Sequence, residues 1–248
     1  MNIEVFLTSS VVTEEDVRDR TVVVIDVLRA CSTIATALYN GARAIVPVAD
    51  MAQAGKIASN LDQQSYLLGG ERSGEKIEGY HLGNSPSEYT RSAVSGRTII
   101  FNTTNGTVAI AQARSAAHLL IGSFLNAGRV VEFIKEVGDD LTIVCAGWKN
   151  RVSLEDTLCA GLMLYRLWEG TEPVSVSDGA HIAFTQYLHD HGNVETAIHR
   201  CSHAQRLNGL GREEDVDYCL QLDALPVLPY YQDSRLVLYK DERVSSMI

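Results

Sequence analysis

Residues 22–34, Val-Val-Val-Ile-Asp-Val-Leu-Arg-Ala-Cys-Ser-Thr-Ile, constrain the fold of this chain more than any other stretch. Four consecutive β-branched apolar residues read as a strand buried on both faces, which asks for a sheet with layers on either side. Asp26 closes that strand and Arg29 follows it. Cys31, Ser32 and Thr33 then lead into an apolar helix pattern (Ile34, Ala35, Ala37, Leu38) that Asn40-Gly41 ends. In open α/β sheets, ligands bind just beyond the carboxyl ends of the strands. A helix start offers free N–H groups and a positive dipole end to an anion, and Asp26 adds a ligand for a cation. The segment predicts a site for a metal and a phosphate group.

Two further units repeat the pattern. The second has a strand at 98–101, the loop Asn102-Thr103-Thr104-Asn105-Gly106, a helix at 107–116 and a strand at 118–121. The third has a strand at 141–145, a loop at 146–151 and a helix at 154–167. A strand at 44–48 closes the first unit, and the first two units align at a constant offset: Asp26 falls on Asn102, Ile34 on Ile110, Ile45 on Ile121. Strands alternating with helices predict an α/β fold, its sheet mostly parallel with helices on both faces. All three loops would then emerge at one edge and share a cleft. The last third reads as helices at 181–189, 194–207 and 213–222 before a strand at 236–239. No linker interrupts the chain, so the expectation is one domain over 1–248, more helical from about 180.

Three segments carry candidate chemistry beside Asp26 and Arg29. In Thr103–Thr107, small hydroxyls and a glycine let backbone amides approach an oxyanion; an ordinary turn capped by Thr104 or Asn105 is the plainer reading. Residues 68–89 hold five glycines, several charges and almost no apolar period, so they read as a long irregular loop. Glu71 and Glu75 are cation ligands in that reading, and Arg72 and Lys76 anion ligands. Ser153-Leu154-Glu155-Asp156 opens a helix, either as an N-cap with acids in the first turn or with an acid turned toward a metal.

Composition removes several classes. A net charge of −10 argues against nucleic acid and against an anionic membrane surface as partners. No apolar run reaches the length of a membrane span, and the first residues lack the regions of a signal peptide. Five scattered cysteines without a Cys-x-x-Cys pair indicate reduced thiols and a cytoplasmic setting. Cys31 does not head a Cys-x5-Arg phosphate cradle, because Ala37 stands where the arginine belongs. Asp26 lacks the second aspartate of aspartyl-phosphate hydrolases, since Leu28 occupies that place. His199 and His203, with Cys201 between them and His189 and His191 upstream, have a helix spacing usable by zinc, without the glutamate beside His199 that the metalloprotease motif needs.

Five ordered segments together resemble the 2-phosphosulfolactate phosphatase family. They are Ile25-Asp26-Val27-Leu28-Arg29-Ala30, Gly69-Gly70-Glu71-Arg72, Gly83-Asn84-Ser85-Pro86-Ser87-Glu88-Tyr89, Thr103-Thr104-Asn105-Gly106-Thr107, and Cys145-Ala146-Gly147 with Leu154-Glu155-Asp156. The resemblance spans about residues 20–160, and residues 215–223 extend it. It implies a three-layer α/β/α fold and Mg²⁺-dependent hydrolysis of (R)-2-phospho-3-sulfolactate to 3-sulfolactate and phosphate, on the route to coenzyme M. The family carries an acid where His81 stands, and no constant cysteine at position 31.

On this reading Asp26 and Arg29 are catalytic, and Asp26, Glu71 and Asp156 hold Mg²⁺. Ser32, Thr33, Arg72, Lys76, Thr103, Thr104, Asn105 and Gly106 bind the anionic groups of the substrate. A metal-activated water is the expected nucleophile, with Asp26 itself as the covalent alternative. Two other functions fit the same residues: a phosphatase of another small phosphorylated hydroxy acid, and a non-enzymatic protein that binds a small anion. The expected partner is a small anionic phosphorylated substrate, and a homodimer is the base-rate assembly.

Overall fold

The computed structural model describes residues 1–168 and 175–240. The first elements are β1 (Asn2–Phe6), β2 (Thr21–Ile25), α1 (Ala30–Tyr39), β3 (Ala44–Pro47), α2 (Met51–Ala58), β4 (Tyr66–Arg72) and β5 (Glu75–Lys76). There follow α3 (Arg91–Val94), β6 (Thr98–Asn102), α4 (Gly106–Gln112), β7 (His118–Gly122), α5 (Ala127–Val137), β8 (Leu141–Cys145) and α6 (Leu154–Leu167). The chain ends in β9 (Ser175–Val176), α7 (Asp178–Asp190), α8 (Val194–His199), α9 (Ser202–Asn208), α10 (Glu213–Cys219), β10 (Pro229–Gln232) and β11 (Arg235–Leu238).

Alternation along β2 sets the layers. Val22 and Val24 join one apolar cluster with α1 and α4, while Val23 and Ile25 join another with α5, α6 and α7. All four are fully buried, which is why the strand lacks any polar position. A smaller cluster seats α2 against Ile100 of β6. The result is the expected α/β/α architecture around a mostly parallel sheet.

The sheet order is β5-β4-β6-β3-β11-β10-β7-β2-β8-β1-β9. Two parallel blocks, β4-β6-β3 and β7-β2-β8-β1, flank a C-terminal antiparallel hairpin. The hairpin closes through Asp233 and Ser234, both at positive φ (51° and 61°), the two-residue turn whose twist suits neighbouring strands. Single bridges, Tyr230 to Leu120 and Leu236 to Ile45, attach it to either block. The first two strand–loop–helix units exchange partners around it: β2 pairs with β7, and β3 with β6.

Four expectations change. The segment 68–89 is not irregular throughout, because β4 runs to Arg72 and β5 folds back on it. Gly70 (φ 145°) lets β4 lie against β6, where a Cβ would collide with the Asn102 carbonyl. The helix at 194–207 is two helices, broken where Cys201 takes the N-cap position of α9. The helix after Gly106 stops at Gln112, and α1 begins at Ala30, so Cys31, Ser32 and Thr33 lie inside its first turn.

Candidate active site

The carboxyl ends of β2, β4, β6 and β8 meet around a cavity of about 260 Å³. Asp26 and Arg29 reach it from the β2–α1 loop, Glu71, Ser73 and Gly74 from the β4–β5 hairpin, and Thr104 and Asn105 from the β6–α4 loop. Trp148 and Lys149 reach it from the β8–α6 loop, and His203 and Arg206 from α9. Ser73 (φ 56°) and Lys149 (φ 54°) hold left-handed backbone, which costs a residue with a Cβ roughly 1–2 kcal/mol. Each opens a two-residue turn whose second residue is also at positive φ, Gly74 (91°) and Asn150 (57°), closed by the pairs Arg72–Glu75 and Trp148–Arg151.

Asp26 is the pivot. It is 6 % exposed, and Oδ1 accepts the Ala30 N–H at 3.3 Å. Oδ2 accepts no hydrogen bond from the described residues and lies against Gly106, where a Cβ would sit 2.8 Å from it. Burial, reinforced by the carboxylates of Asp156 and Glu71, pushes Asp26 well above the ordinary carboxylate range. Asp156 is pushed to about 7 by burial and by Glu155, against the opposing effect of its own hydrogen bonds.

Glu71 and Asp156 are engaged differently. Glu71 Oε1 accepts the Thr104 N–H and Oε2 the Gly74 N–H, both at 2.7 Å, so it ties β4 to the β6–α4 loop. Asp156 Oδ1 accepts the Val27 N–H at 2.8 Å and Oδ2 the Gly147 N–H at 3.1 Å, tying α6 to the loops after β2 and β8. Their ligand atoms and those of Asp26 do not all lie within 4.8 Å of one another; among the described residues the one such group is Glu195, His199 and Asp217, elsewhere on the surface. The donor chemistry still suits Mg²⁺, a hard cation that takes one or two carboxylates and keeps several waters. Asp26 has the uncommitted oxygen, and the three acids leave a surplus of buried negative charge.

Positive charge is distributed unlike the expectation. Arg29 is 3 % exposed and pairs with Asp215 at 2.5 Å, while its other amino group donates to Gly74 O at 2.8 Å. Arg72 is turned away, toward Asn102 Oδ1 and its neighbour's carbonyl Glu71 O. Lys76 sits exposed on β5, outside the cavity lining. The cations that do line the cavity without an ion pair among the described residues are Lys149 and Arg206. Neither stands in a recognisable motif, so only the tertiary placement reveals them.

The small polar residues mostly hold the loops. Ser32 donates to Val27 O, and Thr33 to Asn84 O. Thr103 and Thr107 satisfy each other reciprocally, each hydroxyl accepting the other's N–H at 3.1 Å. Thr104 and Asn105 face the cavity, and Gly106 allows α4 to approach Asp26 and Ala30. His81 Nδ1 accepts the Leu68 N–H at 2.9 Å, a strand-end contact. Asp215, which also accepts from Ser85, is the partner that sequence reading left without a role.

Cys31 is no nucleophile. Its sulfur accepts the Asp26 N–H at 3.1 Å, and burial followed by Asp26 pushes its thiol well above the ordinary value. Iodoacetamide is expected to leave the native protein fully active over an hour. Inactivation tracking carboxymethylation of Cys31, read by mass spectrometry, would restore the thiol as a reactant.

Fold and site together define an α/β protein with a small pocket, acidic on one wall and cationic on another. The family model for 2-phosphosulpholactate phosphatase matches residues 6–234. A probable 2-phosphosulfolactate phosphatase of Symbiobacterium thermophilum is 41 % identical over 224 residues, covering 90 % of this chain and 96 % of that one. Another from Thermotoga maritima is 43 % identical over 211 residues, covering 85 % and 88 %. A third, from Caldanaerobacter subterraneus, is 38 % identical over 229 residues, covering 92 % and 95 %. The chain belongs to the 2-phosphosulfolactate phosphatase family, which places it among the phosphatase enzymes. Among the described residues no helix is long and apolar enough to cross a membrane.

Proposed function

We propose that this phosphatase hydrolyses (R)-2-phospho-3-sulfolactate to 3-sulfolactate and phosphate, with Mg²⁺, in the cytoplasm. One observation carries the reading: Asp26, with a carboxylate oxygen that accepts no hydrogen bond from the described residues, shares one small cavity with Lys149 and Arg206, which form no ion pair among those residues. A substrate with phosphate, carboxylate and sulfonate groups asks for that combination, a metal ligand on one side and fixed positive charge on the other. Asp26 would hold the Mg²⁺ through its uncommitted oxygen, beside the carboxylate of Glu71. When bound there, the ion supplies charge neutralisation at the phosphoryl oxygens and a lowered pKa for water.

The chain's own residues do the rest. Lys149 and Arg206 bind the two anions that do not react, and so set the orientation of the ester oxygen. Asn105 and Thr104 present polar groups to the phosphoryl end. Arg29, bound to Asp215, holds the β4–β5 turn at Gly74 in place and keeps Glu71 where it is.

Phosphate release is expected with Mg²⁺ and is lost with EDTA. Equal negligible turnover of phosphosulfolactate in both conditions overturns the reading. A panel of two- and three-carbon phosphorylated hydroxy acids tests the substrate separately. Faster turnover of a compound without a sulfonate replaces phosphosulfolactate while keeping the reaction.

A further inference from the structure

The cavity wall also carries a histidine, His203. His203 sits in the first turn of α9, with its ring stacked on Trp148 at 5.0 Å between centroids and 14° between planes. Nδ1 meets Glu155 Oε1 at 2.7 Å, and Glu155 is 1 % exposed at the start of α6. The second oxygen of Glu155 accepts the thiol of Cys201 at 3.3 Å. Burial and Glu155 push that thiol up to about 12, so it remains a donor. Three elements thus fix one imidazole: α6 through Glu155, the β8–α6 loop through Trp148, and α9 through its own backbone. Nε2 has no partner among the described residues, and the ring lines the cavity.

We propose that His203 is the general acid of the reaction, protonating the departing ester oxygen, and that Glu155 is its positioning residue. The inference rests on the phosphatase reading above. An aliphatic hydroxy acid leaves as a poor, strongly basic alkoxide unless a proton reaches it in the transition state. The titratable side chains on the cavity wall are Asp26, Arg29, Glu71, Lys149, His203 and Arg206. Arginine and lysine hold their protons too tightly near neutral pH. Glu71 is occupied by two N–H donors, and Asp26 would be engaged by the metal. Imidazole is the group that ordinarily exchanges a proton in this range.

The P–O ester bond breaks with its electron pair moving to the ester oxygen. That oxygen takes the Nε2 proton and leaves as the hydroxyl of the acid product. A water oxygen bonds phosphorus and gives H₂PO₄⁻, which returns one proton to Nε2 and departs as HPO₄²⁻. His199, Cys201 and His203 do not converge on one metal site, because His199 ends α8 and meets Asp217 at 3.0 Å while Cys201 and His203 open α9 and meet Glu155.

The test compares leaving groups, using the full-length Mg²⁺-loaded protein. For His203→Gln, kcat on phosphosulfolactate is expected to fall about 10²-fold or more. On acetyl phosphate, whose acetate leaves without a proton, it is expected to fall less than about threefold. Glu155→Gln is expected to show the same split with a smaller loss, since a carboxamide oxygen still receives Nδ1–H. Equal losses on both substrates in His203→Gln overturn the acid role and leave His203 a structural tie between α9 and α6; so does no loss on either. If the wild-type protein hydrolyses no phosphate ester, the function proposed above fails with it, an outcome distinct from a missing split.

Discussion

Asp26→Asn is expected to lower kcat on phosphosulfolactate by about 10³-fold, the scale of several kcal/mol attached to metal-assisted charge stabilisation. The same variant is expected to be more stable than the wild type when both are stripped of Mg²⁺. The reason is electrostatic. Asp26 is buried beside Asp156 and Glu71, and burial first, then those two acids, push its carboxyl up. A neutral amide removes the repulsion, and its oxygen still accepts the Ala30 N–H. Relief of such a strained site commonly stabilises by about 0.5–2 kcal/mol at the cost of function. Urea unfolding in EDTA reads the stability, and steady-state phosphate release reads the activity. Lower stability together with lower activity would make Asp26 a structural residue, and retained activity would remove it from the site altogether.

Arg29 and Asp215 carry the second large effect, on stability. Both side chains are nearly fully buried, and among the described residues Asp215 keeps only Ser85 once the guanidinium is gone. Arg29→Met is expected to cost about 3–5 kcal/mol, because a buried charge is left without its partner. Asp215→Leu is expected to cost a similar amount for the mirror reason. The double variant Arg29→Met with Asp215→Leu is expected to recover most of the loss, since two apolar side chains replace two ions that were expensive to desolvate. Midpoints in urea at constant slope measure all three. Single variants that lose less than about 1 kcal/mol would show that solvent reaches the pair. A double variant as unstable as the sum of the singles would assign the loss to packing instead.

The two effects separate roles that Asp26 and Arg29 share on paper. They lie three positions apart in one loop, yet one presents a free oxygen to the cavity and the other is spent on α10. Local sequence cannot distinguish them, because the partner of Arg29 lies 186 residues away. The same distance effect hid Lys149 and Arg206. Each is an ordinary charged residue until the ends of β8 and α9 are brought to the same cleft. Arg72 and Lys76 show the converse: charge beside Glu71 looked like an anion site, but Arg72 follows Glu71 and so takes the other face of β4, and Lys76, paired across from Glu71, stays exposed on β5 outside the cavity lining.

Strands and helices with strong internal periodicity were readable. β2, β8 and α6 fall at the residues where the pattern of apolar positions begins and ends. β10 was not, because Pro-Tyr-Tyr-Gln has no strand period and acquires strand structure only by pairing with β11 and bridging to β7. The hairpin's place at the centre of the sheet follows from no local signal at all. The break between α8 and α9 was hidden for a related reason: Cys201 is neither glycine nor proline, and it caps a helix through its sulfur by accepting the Ala204 N–H at 3.4 Å.

By itself the sequence determined the class of fold, the strand–loop–helix unit around Asp26 and, through five ordered motifs, the family. Those features depend on contacts between residues near each other in the chain, where side-chain period and turn chemistry decide the outcome. Tertiary structure alone decided which acid keeps a free oxygen, which cations face the cavity, and that His203 meets Glu155. Each of those is settled by which distant backbone N–H or carboxylate reaches a side chain first, and such pairings are made only when the strand ends and α9 close on one another.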